Sequence, residues 1–81
     1  MKLYKEPARR ATVQINMVVS RHEWPQNEGV MCEMARNLAV REFSLSLPYE
    51  VVGWQINPER YYSDTVGKLD HLITFFLAPT A

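Results

Sequence analysis

The chain has one cysteine, three glycines, no surplus of either charge and no long apolar run. A lone Cys32 cannot form an intramolecular disulfide or a cysteine-rich zinc site, and it fits a reducing compartment. Three glycines cannot build a phosphate-cradling loop, and neither the P-loop pattern nor the dinucleotide-binding pattern occurs. Nine Lys and Arg balance nine Asp and Glu. That balance argues against a long polyanion as the main partner, because such binding is driven by many phosphate-neutralising cations. No apolar stretch approaches the roughly 20 residues of a membrane helix, and Met1 to Pro7 hold no secretory hydrophobic region. A cytoplasmic protein without membrane contact is expected.

What remains is an ordinary globular composition, 47% apolar and 22% charged over 81 residues. A chain of that size makes one core, and its apolar content argues against disorder throughout. Residues 1–10 stand apart as a basic arm, with Lys2, Lys5, Arg9 and Arg10 opposed only by Glu6, and Pro7 discourages a regular element there. The arm reads as a solvated terminus or as a cationic reach toward an acidic partner. Residues 11–81 form the expected domain.

From Thr12 the pattern has a period of two. Val13, Ile15, Met17 and Val19 point one way, and Thr12, Gln14, Asn16 and Ser20 the other, with Val18 the one apolar intruder. Such alternation predicts a strand with one buried and one wet face. Pro25 ends it. A helix is expected over 26–41, where Val30, Met31, Met34, Ala35, Leu38 and Ala39 recur at three- and four-residue spacing. Pro25 or Asn27 can open it, Glu28 suits the N-terminal dipole, and Glu33 can pair with Arg36 one turn on.

Phe43, Leu45 and Leu47 alternate with serines, so an additional strand before Pro48 is one option. Tyr49 to Ile56 reads as a strand ended by Asn57-Pro58. Residues 57–68 form a long polar and aromatic connection. Leu69 to Leu77 is expected as the last strand, favoured by Ile73-Thr74-Phe75-Phe76 and closed by Pro79, with a helix over 64–77 capped by Asp64 as the competitor. The expected fold is α+β, in the order β-α-β-β: an antiparallel sheet of three to four strands with one amphipathic helix on one face.

One helix covers one sheet face. Val18, Leu72 and Phe76 then lie on the other, with Trp54 joining them if its strand has that register. An apolar patch of that kind is rarely left open in a monomer. Self-association, through this face or the adjoining strand edge, is expected to form a symmetric homodimer; a partner's surface is the other option.

The titratable residues give no catalytic pattern. His22 and His71 lack metal-ligand spacing, Cys32 has no neighbouring base, and Glu50, Glu59, Asp64 and Asp70 sit in separate contexts. No catalytic residue, metal or cofactor is expected. Trp24, Trp54, Tyr61 and Tyr62, with Arg60 beside the tyrosines, are of the types enriched at interface hot spots, although the same rings can fold back as a lid on the core. The partner-binding candidates are therefore Trp54, Arg60, Tyr61 and Tyr62, with Arg9 and Arg10 steering the approach. The expected function is a non-catalytic protein–protein interaction module, a small regulator or inhibitor that covers a surface of a larger protein, as phage or mobile-element accessory proteins do. The alternatives are a nucleic-acid-associated regulator using the basic arm, and a small-ligand binder at a homodimer interface.

Overall fold

A computed structural model describes residues 2–57 and 70–80. In chain order these form β1 (Tyr4–Lys5), β2 (Val13–Ser20), α1 (Glu28–Phe43), β3 (Tyr49–Asn57) and β4 (Asp70–Pro79). The strands make one sheet in the order β1-β3-β4-β2, antiparallel at every junction. The helix lies across one face, so the expected α+β layering is observed. The described part of the 64–77 segment is strand.

The alternation in β2 translates directly into facing. Ile15 stands opposite Phe75, Met17 opposite Ile73 and Val13 opposite Leu77. Ile73, Phe75 and Leu77 are fully buried in the central strand β4. From the helix, Met31, Ala35 and Ala39 supply the buried contacts. The two alanines have no bulk beyond Cβ, so the helix axis can settle close to the sheet. Val30 and Met34, expected on the buried stripe, are instead 56% and 51% exposed. An arc of about 100° suffices to face a core, and these two residues fall outside it.

The helix starts two residues later than expected and continues past 41 to Phe43. Asn27 occupies the cap position without a side-chain capping bond, and its Nδ2 donates to Glu23 at 2.7 Å. At the far end Ser44 takes a left-handed conformation, φ 50°, and the N–H groups of Ser44 and Leu45 both donate to the Val40 carbonyl. Residues 44–48 form a connection and not the optional extra strand.

The fourth strand comes from the N-terminus. Tyr4 and Lys5 pair with Gln55 and Trp54, and Leu3 O accepts from Ile56 N. Residues 3–5 and 8 are thus tied to β3 through their backbone, while residues 2–6 and 8–10 remain exposed to solvent. Pro7 falls just beyond the paired residues and interferes with nothing. The chain then crosses the sheet on the face opposite the helix. Ala8 N donates to Val52 O, Arg9 binds the Glu50 carboxylate at 2.6 Å and also the Pro79 carbonyl, and Thr12 N reaches Leu77 O.

That crossing depends on Gly53. Strand β3 carries a bulge in which Val52 and Gly53 together oppose Phe76. A Cβ on Gly53 would stand 2.6 Å from Lys5 O and 2.8 Å from Pro7 Cα, both backbone atoms. Neither can step aside without moving the segment. Gly53→Ala is expected to lower stability by about 1–3 kcal/mol, the range for overpacking a tight site. Urea denaturation of the two proteins checks this; equal midpoints would show that the N-terminal segment does not depend on close approach.

Candidate functional site

The bulge also decides where the second tryptophan goes. Tyr49 and Val51 face the helix, and an unbroken alternation would send Trp54 to the opposite side. The additional residue shifts the phase, so Trp54 pairs with Phe75 and Ile56 with Ile73 on the helix side. Trp54 is 3% exposed. Its Nε1 donates to Glu28 at 3.3 Å, so one residue serves both the helix N-terminus and the indole.

Trp24 enters the same cluster from the turn after β2. Its ring lies edge-on to Trp54 at 4.8 Å and 88°, and edge-on to Phe75 at 6.0 Å. Edge-to-face contacts of this kind add about 0.5–1.5 kcal/mol beyond the area they bury. Among the described residues, its buried Nε1 has no hydrogen-bond partner. The aromatics on both sides of the helix start therefore belong to the core. Trp54, expected at a partner surface, has no free ring face to offer.

The other candidates divide three ways. Arg60, Tyr61 and Tyr62 lie outside the described residues. Arg9 is engaged with Glu50 and Pro79, while Arg10 is exposed. Both partners of the Arg9–Glu50 pair are partly solvated, so it fixes the crossing geometry while contributing at most about 1 kcal/mol. Val18 is 41% exposed, and Leu72 and Phe76 are half-buried on the face away from the helix.

That open face has a structure of its own. Successive cross-strand rows read Asn57–Leu72–Val18, then Gln55–Thr74–Asn16, then Gly53–Phe76–Gln14. Tyr4, 47% exposed, extends the middle row at the β1 edge. Thr74 Oγ1 donates to Asn16 Oδ1 at 2.7 Å. The apolar pair Leu72–Val18 is thus separated from Phe76 by a polar row. The N-terminal crossing covers the end beyond Phe76, where Val52 and Ala78 are 5% and 1% exposed. Among the described residues, nothing covers the half that holds Tyr4, Val18 and Leu72, which was legible in part from Val18 breaking the polar pattern of β2 and from the apolar second side of β4.

Two depressions lie on the described surface. One, of about 190 Å³, lies between the start of α1 and early β3, lined by Gly29, Cys32, Glu33, Arg36, Glu50 and Val51. Burial, reinforced by the Glu28 carboxylate, pushes the Cys32 thiol up to about 11, with Lys5 opposing. A thiol held protonated is a poor nucleophile. The second, of about 340 Å³, runs beside β2 and is lined by Met17, Met34, Asn37, Leu38 and Arg41. Sequence reasoning missed it, because Met34 had been assigned to the core. His71 is half-buried at the end of β4; burial, then the Arg21 cation, holds its imidazole below the ordinary value against the pull of Asp70. Among the described residues no group of His, Cys, Asp and Glu is placed to hold a metal ion. No helix among them is long and apolar enough to cross a membrane. Comparison with protein-family models, with curated proteins and with solved structures gives no match.

Two outcomes follow for these residues. Trp54→Ala is expected to lower stability by about 3–5 kcal/mol, the cost of emptying a buried aromatic site, as read by urea denaturation. An unchanged midpoint would return Trp54 to the surface. Iodoacetamide at pH 8 should alkylate Cys32 in the folded protein at least about tenfold more slowly than in urea, since a raised pKa removes thiolate. Equal rates would mean a solvated thiol.

Proposed function

We propose that the chain is a non-catalytic protein–protein interaction module, a small regulator or inhibitor that acts by covering a surface of a larger partner. The observation that carries this reading is the half of the sheet's open face that nothing covers among the described residues. There Tyr4 and Val18 are exposed beside half-buried Leu72, and Gln55, Thr74 and Asn16 form a hydrogen-bonding row next to them. Apolar anchors set among polar groups are the composition of a non-obligate protein interface. Strands hold these side chains in fixed positions, so little conformational freedom is lost when a partner covers them. Steric occlusion asks for nothing beyond such a surface, and Cys32, held protonated, gives no support to nucleophilic chemistry.

Among the described residues, the strand positions of this face hold no Lys or Arg. Lys5 pairs on the helix side of β1, and Arg9 is committed to Glu50. That favours a protein partner over a nucleic acid.

Affinity capture from the source cells tests the reading, with the wild-type chain and Val18→Asp as parallel baits. Val18 is exposed, so the variant should keep its melting temperature to within a few degrees. A protein retained by the wild type and lost from Val18→Asp is the expected result. Retention of nuclease-sensitive material instead, or of the same proteins by both baits, would contradict it.

A further inference from the structure

The two edges of the sheet differ sharply. On one side, β1 is two residues long, carries Lys5 and is followed by Pro7. Short length, charge and proline are the usual means by which a sheet edge is kept from pairing with another chain. On the other side β2 runs for eight residues, and Thr12 to Ser20 contain no charge, no proline and no glycine. Among the described residues nothing pairs with the outer side of β2, which bonds only to β4. The methionine-lined groove of Met17, Met34, Leu38, Asn37 and Arg41 opens directly beside that edge. An unguarded row of backbone donors and acceptors, flanked by a flexible apolar channel, is a template for strand addition.

We infer that β2 pairs antiparallel with β2 of a second copy of this chain, joining two four-stranded sheets into one of eight strands. The chain itself fits the role. An antiparallel pair places directly opposed residues on the same face, so two-fold self-pairing must match odd-numbered positions with odd ones. The axis then falls at Asn16 or at Met17. Centred on Met17, Ile15 meets the partner's Val19 and Met17 meets its own copy. Centred on Asn16, Ile15 meets the partner's Met17 and Val13 the partner's Val19. Either way every helix-side contact is apolar, and the two grooves face each other across the axis.

Charge and area decide why a second copy is the occupant. The edge is uncharged and the formal net charge is zero, so two copies approach without long-range repulsion. The strand is about 27 Å long at 3.4 Å per residue, and the molecule is 20 Å across its smallest extent. That side therefore presents on the order of 500 Å² per copy, which puts the pair near the lower bound for specific interfaces and makes the association concentration-dependent. An axis perpendicular to the sheet leaves both helices on one side and both open faces on the other. This association rests on the backbone edge of β2 and borders the partner-binding face proposed above at Asn16 and Val18. Sedimentation of the chain alone reads it without any partner, and Met34→Glu, on the helix side, weakens it without touching that face.

Sedimentation velocity of the full chain from about 1 to 200 µM tests it, the range a small interface requires. The wild type should pass from monomer to dimer. Asn16→Lys and Asn16→Glu each place like charges within about 8 Å across the axis, and each should raise the dissociation constant at least about tenfold. An equimolar mixture of the two should dimerise again. Met34→Glu, on the exposed helix side of the groove, should weaken the dimer as well and serves if an Asn16 variant unfolds. A wild type that stays monomeric throughout overturns the inference. So does a dimer whose dissociation constant is unchanged by the Asn16 and Met34 variants, since it would use another surface. Loss in both Asn16 variants without recovery in the mixture also counts against two-fold pairing at this edge.

Discussion

A single helix can shelter one face of a four-stranded sheet and neither of its edges. The chain meets the first requirement with small residues. Ala35 and Ala39 bring α1 down onto the sheet, where Ile73, Phe75 and Leu77 of β4 are sealed from solvent. What is left over, a second face and two edges, is handled by the N-terminal segment. It closes one edge as β1 and then crosses the far face above Gly53. One segment of about ten residues cannot also reach the far end of that face or the outer side of β2. Among the described residues, nothing else covers those two places.

The aromatic residues bear on the same question from the inside. Trp24, Trp54 and Phe75 meet edge to face beneath the start of α1, and Glu28 accepts the Trp54 indole N–H from the helix's first turn. Rings of this size bury a large area in a small domain, where apolar core is scarce. With Trp24, Trp54 and Phe75 committed to the core, the apolar side chains exposed on the described open face are Tyr4 and Val18, beside half-buried Leu72. A flat, modest surface of that kind suits occlusion of a partner better than deep capture of a ligand.

Much of this was legible in the sequence, for reasons that differ by element. The facing of β2 could be read because one side is wet, which writes a two-residue period. The central position of β4 showed as apolar residues on both sides of its alternation. The fate of Trp54 could not be read, since it turns on one additional residue at Val52–Gly53; a glycine inside a strand was the available signal for a bulge or a close backbone approach. The pairing of β1 left no trace, because two residues have no period. Val30 and Met34 fit the helical spacing as well as the buried residues do, and only the width of the contact excluded them. Arg60, Tyr61 and Tyr62 lie outside the described residues, so the recognition-loop expectation for them stands as it was.

The asymmetry between a short, charged edge at β1 and a β2 edge with no partner among the described residues is what the proposed association rests on. Amide hydrogen exchange along Val13–Ser20, followed at low and at high protein concentration, addresses it most directly. Amides of β2 that point away from β4 should exchange freely in dilute solution and become protected as concentration rises, while those bonded to β4 stay protected throughout. Uniform protection of β2 at every concentration would show that the edge is already closed within one chain, and rapid exchange at every concentration would show that it never closes.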